Sequence, residues 1–229
     1  MLPITASSKL TVTDFLVRLP LFNELEPTEL QRIAEQTTEL HVPRGETIFR
    51  QGDPSTGFYC VIYGRVKLAF SSEQGDEKVV EIVGPGSSFG EALMFMDKPY
   101  IVSSQALADT MLLHVSRPAV LDELDRTPRF ARKMLAGLSR RLHGLISDVE
   151  AYSLNSGTQR VIGYLLREDH ADGDEVQLHV SKAVLASRLN LTPEHFSRIL
   201  HDLTGQQLIE VHGRIITILD VEKLRRYDK

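Results

Sequence analysis

The stretch Val184–Leu203, VLASRLNLTPEHFSRILHDL, constrains this chain more than any other. It reads as two short helices joined by a tight turn. The second opens at Thr192, whose hydroxyl can cap a helix start, followed by Pro193, preorganised for a first helical position. Glu194, Ser197, Arg198 and His201 then fall at i, i+3, i+4 and i+7, and so do Phe196, Ile199, Leu200 and Leu203. The second set packs. The first presents a carboxylate, a hydroxyl and a guanidinium side by side. A carboxylate accepts from cytosine N4, and a guanidinium grips guanine O6 and N7, as the recognition helix of a helix-turn-helix requires. An ordinary amphipathic surface helix would show the same two faces.

Two β-rich runs follow, Leu208–Val211 and Ile215–Leu219, around His212-Gly213-Arg214. The glycine marks a hairpin turn. Helix, turn, helix, hairpin is the winged helix-turn-helix order. Arg214 would then meet a phosphate, or be a solvated turn residue.

The chain has 229 residues, 42% hydrophobic and 25% charged, enough for a packed core in one or two domains. No apolar run is long enough to cross a membrane, and MLPITASSKL has no apolar signal core. Cys60 is the single cysteine, so no intramolecular disulfide can form. These features place the chain in the cytoplasm, away from membranes. Net charge is −5, and residues 156–229 hold 10 Lys/Arg against 11 Asp/Glu. Phosphate binding must therefore come from a local surface. The candidates are Lys182, Arg188, Thr192, His201 and Arg214.

Residues 14–40 read as helical, interrupted at Pro20 and Pro27. From Leu40 to about Val115, short β-rich runs alternate with Gly/Pro turns, the pattern of an antiparallel roll. Pro128 opens a long helix. Leu135, Leu138, Leu142, Leu145, Val149 and Tyr152 are spaced 3, 4, 3, 4, 3 along it, a heptad seam. The seam forms a dimer interface, or it packs the helix on its own domain. Asn155-Ser156-Gly157 is the hinge, and another helix begins over 160–167. The expected architecture is α+β: a sensor jelly roll with N-terminal helices over 1–126, a dimerisation helix and hinge over 127–155, and a winged helix-turn-helix over 156–229.

Phe49-Arg50-Gln51-Gly52-Asp53, Gly64-Arg65-Val66-Lys67-Leu68, Ser88-Phe89-Gly90-Glu91-Ala92 and Glu194-His195-Phe196-Ser197-Arg198, in this order and spacing, carry a resemblance. Over roughly residues 15–225 the chain resembles the family of the cyclic-AMP receptor protein and the fumarate and nitrate reduction regulator. The resemblance implies a cyclic-nucleotide-binding-like roll and a homodimeric transcription regulator, an activator. It also implies that Glu194, Ser197 and Arg198 read a TTGAT half-site in a palindromic promoter, TTGAT-N4-ATCAA. Glu73, Gln74, Asp76 and Glu77 resemble the surface such regulators offer to RNA polymerase, and also suit a solvated hairpin turn.

The chain departs from the family pattern twice. Cyclic-nucleotide members carry an Arg-Ser pair shortly after the Gly-Glu, whereas Gly90-Glu91 here leads to Ile101-Val102, with no arginine between Arg65 and Arg117. A buried phosphate would lack its cation, so no cyclic AMP binding is expected. Oxygen-sensing members carry a cysteine cluster, and Cys60 alone excludes an iron–sulfur cluster. Cys60 reads as a small core residue, with a redox switch as the alternative. The stretch Glu91–Asp97 and the missing cysteines resemble the dissimilative nitrate respiration regulators. That resemblance implies a nitric oxide signal sensed through haem b. Gly90, Glu91, Met94, Phe95, Met96 and Ile101 are the candidate pocket, with His143 as candidate axial ligand beside His41, His114 and His170. Met94, Phe95 and Met96 equally suit a plain core. Other readings are a small-molecule effector, thiol redox sensing, or a nucleotide-binding regulatory subunit. An enzyme is not expected, because no nucleophile–base set, metal-ligand pair or P-loop is present.

Overall fold

The computed structural model describes residues 11–72, 77–166, 171–172 and 175–227, and among these the side chains of Tyr152, Ala171 and Asp172 are outside the description. The chain divides into two compact units. One comprises the residues up to Phe70 and Glu81–Arg140; the other comprises Ser71–Val80 and Arg141–Lys229.

The first unit is built on two antiparallel sheets, although Ser71 and Glu77–Val80, at the ends of two of the strands, are counted with the second unit. Strands β1 (Thr37–Val42), β3 (Gly57–Tyr63), β6 (Ser88–Phe89) and β8 (Thr110–Ser116) run in the order β1-β8-β3-β6. Strands β2 (Thr47–Phe49), β4 (Val66–Ser71), β5 (Glu77–Val83) and β7 (Ser103–Ala106) run β2-β7-β4-β5. Residues 57–61 are buried without a break, because both faces of β3 are covered. The two-residue period sends Phe58 and Cys60 to one core and Tyr59 and Val61 to another. The first core is closed by α1 (Val12–Leu16), α2 (Pro27–Glu35), α4 (Arg117–Arg126) and the start of α5 (Pro128–Leu154), through Leu16, Ile33, Val120, Phe130 and Met134. The second is the interior of the roll, with Phe49, Val66, Leu68, Phe89, Tyr100 and Leu112.

A half-buried ionic network pins these helices. Arg32 forks onto Glu123 at 2.9 and 3.1 Å, and Glu123 is only 2% exposed. Thr127 donates to Glu123 and to Glu29, so the buried carboxylate has several partners.

One expectation is corrected and one element is added. Residues 37–40, read as the end of a helical stretch, are in β1. Thr37 pairs with Val115 and Leu40 with Leu112, and this long-range ladder overrides local propensity. Helix α4 was not expected at all, although Ser116 caps it, its hydroxyl accepting from Ala119 N, and Pro118 sits in its first turn.

In the second unit α6 (Gly157–Leu165) starts from a capping box between Ser156 and Gln159. α7 (Lys182–Arg188), α8 (Pro193–Gly205) and α9 (Val221–Arg225) pack with a small sheet. That sheet runs β11-β12-β10-β9, from β9 (Ala171–Asp172), β10 (Glu175–Gln177), β11 (Ile209–His212) and β12 (Ile215–Ile218). The hairpin β11–β12 turns at Gly213, with φ at 63°. Among the described residues no helix is long and apolar enough to cross a membrane.

Candidate nucleic-acid interface and effector site

α8 carries the predicted cap. Thr192 Oγ1 accepts from His195 N at 3.2 Å, and Pro193 takes the first turn. Phe196, Ile199, Leu200 and Leu203 are buried. Glu194, Ser197, Arg198 and His201 are all exposed on the other side. The helix thus presents an acceptor, a hydroxyl and a guanidinium to solvent from a rigidly packed base. Ser181 caps α7, where Lys182 is half-buried at the first position. Arg214 is exposed in the wing turn, and its carbonyl accepts from Leu178 N at 2.7 Å.

Arg188 is placed differently. Its Nη2 meets Asp148 Oδ2 of α5 at 2.5 Å, in a largely covered pair. The neighbouring Ser187 is held by Glu77–Val79 at the start of β5, which belong to the same unit. Its hydroxyl accepts from Val79 N at 2.9 Å and donates to Glu77 O at 3.3 Å, while Lys78 Nζ donates to Ser187 O at 2.5 Å. Burial, with the charges of Arg188 and Arg160, pulls the Lys78 pKa below its ordinary value. The sequence reading missed Asp148, Ser187, Lys78 and Arg160, since no local spacing signals a partner across the fold. Of the polymerase candidates, Glu73, Gln74 and Asp76 lie outside the described residues; Glu77 is exposed at the start of β5.

On α5, Leu135, Leu142, Leu145, Ile146 and Val149 are 42–64% exposed, and Leu138 is half-buried. Single exposed apolar residues are normal, but a row at heptad spacing has the pattern of a coiled-coil seam.

In the sensor roll, Gly90 adopts φ 97°, turning β6 into α3 (Glu91–Met96). The interior beside it is filled with rings. Phe49 and Tyr100 stack at 3.6 Å between centroids, Tyr59 and Phe89 at 5.2 Å, and Tyr59 lies 4.7 Å from His114. Glu91 is 6% exposed, and its charge helps burial raise the Cys60 and Tyr100 pKa values. Buried and held as a thiol, Cys60 is a core residue, poorly suited to redox signalling. Ile101, in the candidate pocket, is 55% exposed. The Ser103 and Ser104 hydroxyls accept from Gln51 N and Phe49 N, each at 3.1 Å, and Ser104 also donates to the Phe49 carbonyl.

Haem requires an apolar slot and an axial donor. Met94 is fully enclosed in the first core, Phe95 packs partly against it, Met96 is 55% exposed, and His143 is exposed on α5. His41 is exposed on β1, and His170 lies outside the described residues. Among the described residues no cluster of three or more His, Cys, Asp or Glu is placed to hold a metal ion.

A β-roll, a long helix with an apolar row and a capped, two-faced helix beside a wing define a DNA-binding transcription regulator with an effector domain. Comparison agrees: a cyclic nucleotide-binding domain matches residues 39–127, and a Crp-like helix-turn-helix domain matches residues 159–227. The chain belongs to the CRP/FNR family of transcription regulators, which are not enzymes. It is similar to the DNR structure from Pseudomonas aeruginosa, with 38% identity over 93% of this chain and 96% of that one and a TM-score of 0.50. It is also similar to the CRP-like cAMP-activated global transcriptional regulator of Mycobacterium tuberculosis, 25% identical over 93% of this chain and 98% of that protein. FixK2 from Bradyrhizobium japonicum, at 23% identity and a TM-score of 0.76 over 84% of this chain and 98% of that one, shares the fold.

Proposed function

We propose that this chain is a homodimeric activator that reads a TTGAT-N4-ATCAA palindrome through Glu194, Ser197 and Arg198. The observation that carries this is their joint exposure on one face of α8, opposite the buried Phe196, Ile199, Leu200 and Leu203. Lys182, Thr192, His201 and Arg214 hold phosphates around that face; Arg188 is left out because Asp148 already pairs it. Leu135–Tyr152 forms the twofold seam that matches the palindrome. Contact with RNA polymerase through Glu73–Glu77 belongs to the same reading.

The effector acts on the sensor roll and shifts the dimer between two states. The exposed Ile101 and the ring-filled interior weigh against cyclic AMP. The likeness to DNR favours the nitrate-respiration subgroup and a nitric oxide signal, but the enclosed Met94 and the exposed His143 weigh against a resident haem.

Fluorescence anisotropy with the palindromic duplex and a scrambled one tests the base reading. A clear preference for the palindrome is expected, and equal binding would overturn it. Calorimetry with cyclic AMP should show no tight binding. Visible absorption after haem addition, with and without nitric oxide, tests the haem route.

A further inference from the structure

Arg160 belongs to α6, yet its guanidinium reaches out of that helix at both ends. Nη1 donates to the Asn155 carbonyl and Nη2 to the Asn190 carbonyl, each at 3.3 Å. Asn155 follows the end of α5. Asn190 is the left-handed turn residue between α7 and α8, at φ 58°. Leu191 N closes the end of α7 onto Ala186 O at 2.9 Å, and the α8 ladder begins with Phe196 N on Thr192 O, also at 2.9 Å. The Asn190 carbonyl therefore has no place in either helical ladder, and Arg160 supplies it with a charged donor.

A second observation points to the same turn. A Cβ at Gly157, the first residue of α6, would lie 2.9 Å from Leu191 Cδ2, 3.2 Å from His195 Cε1 and 3.4 Å from Ile199 Cδ1. The start of α6 thus packs against the side chains of the turn and of the first two turns of α8, and a Cβ there would push Leu191 and His195 aside.

We infer that Arg160, with Gly157, is a positioning residue for the recognition helix. It ties the end of the long helix to the turn that launches α8. Base readout depends on placing three side chains to within a fraction of an ångström, whereas phosphate contacts tolerate looser placement. Only a planar fork can hold two carbonyls at a set separation; a lysine ammonium is a single point. The inference rests on the reading of Glu194, Ser197 and Arg198 as base contacts.

The test uses the full chain carrying Arg160→Lys or Gly157→Ala. In the protein alone, hydrogen exchange over residues 189–196 should quicken about tenfold in Arg160→Lys, while the β11–β12 hairpin is unchanged. In anisotropy, affinity for the palindromic duplex should fall about tenfold in both variants, the scrambled duplex should lose less than about twofold, and the salt slope should stay the same. Unchanged exchange at the turn overturns the bridge. Equal loss on both duplexes, with a slope smaller by about one in Arg160→Gln, which unlike Arg160→Lys removes the charge, overturns it too, by making Arg160 a phosphate contact. Should the wild type itself fail to prefer the palindrome, the base-contact reading fails, and the exchange result alone decides the bridge.

Discussion

Arg188 and Asp148 stand 40 positions apart in the chain and meet at 2.5 Å, their side chains only 19% and 26% exposed. The pair fastens the last turn of α7 to α5. A guanidinium already matched by a covered carboxylate has little to offer a phosphate. Arg188→Gln should therefore lower stability by about 1–2 kcal/mol in chemical denaturation. It should leave the salt dependence of DNA binding unchanged, and a slope smaller by about one would show a phosphate contact instead.

Arg198 and Lys182 should differ in kind. Arg198→Ala should cost about 1–3 kcal/mol on the palindromic duplex and flatten discrimination at the half-site guanine. Lys182→Ala should weaken all duplexes alike and reduce the salt slope by about one. Titrations against the palindrome and a guanine-substituted duplex check both. Equal loss for Arg198→Ala on the two duplexes would remove it from the reading face.

Leu142 is 60% exposed in the middle of the apolar row on α5. Leu142→Asp should place a charge inside the dimer seam and shift the protein to monomers in sedimentation. Binding to the palindrome should fall with it, because a twofold site needs a twofold protein. An unchanged dimer mass would move the interface elsewhere.

His114 sets a pH dependence. Burial against the roll holds its imidazole below the ordinary histidine pKa. The unfolded chain binds the proton more readily, so stability is greatest above the ordinary value. It falls as pH drops below that value and levels off under the depressed one. Denaturation at about pH 7.5 and about pH 5.5 should show this loss, and His114→Gln should reduce it. A wild type and variant with the same pH profile would assign the dependence to other groups.

What the sequence determined by itself is local. Thr192 and Pro193 start α8, and its two faces follow from the helical period, because caps and i, i+4 neighbours lie within a few residues of one another. The short strands between Gly and Pro and the heptad row on α5 are legible for the same reason. What only the tertiary structure decided depends on partners far along the chain. Residues 37–40 became a strand because β8 stood ready to pair with them. Phe58 and Tyr59, adjacent in sequence, went to different cores because helices covered one face of β3 and the roll enclosed the other. Arg188 turned to Asp148, and Arg160 to the Asn190 carbonyl. Such contacts gain energy only after folding has closed the loops between them, so no local pattern of residues announces them.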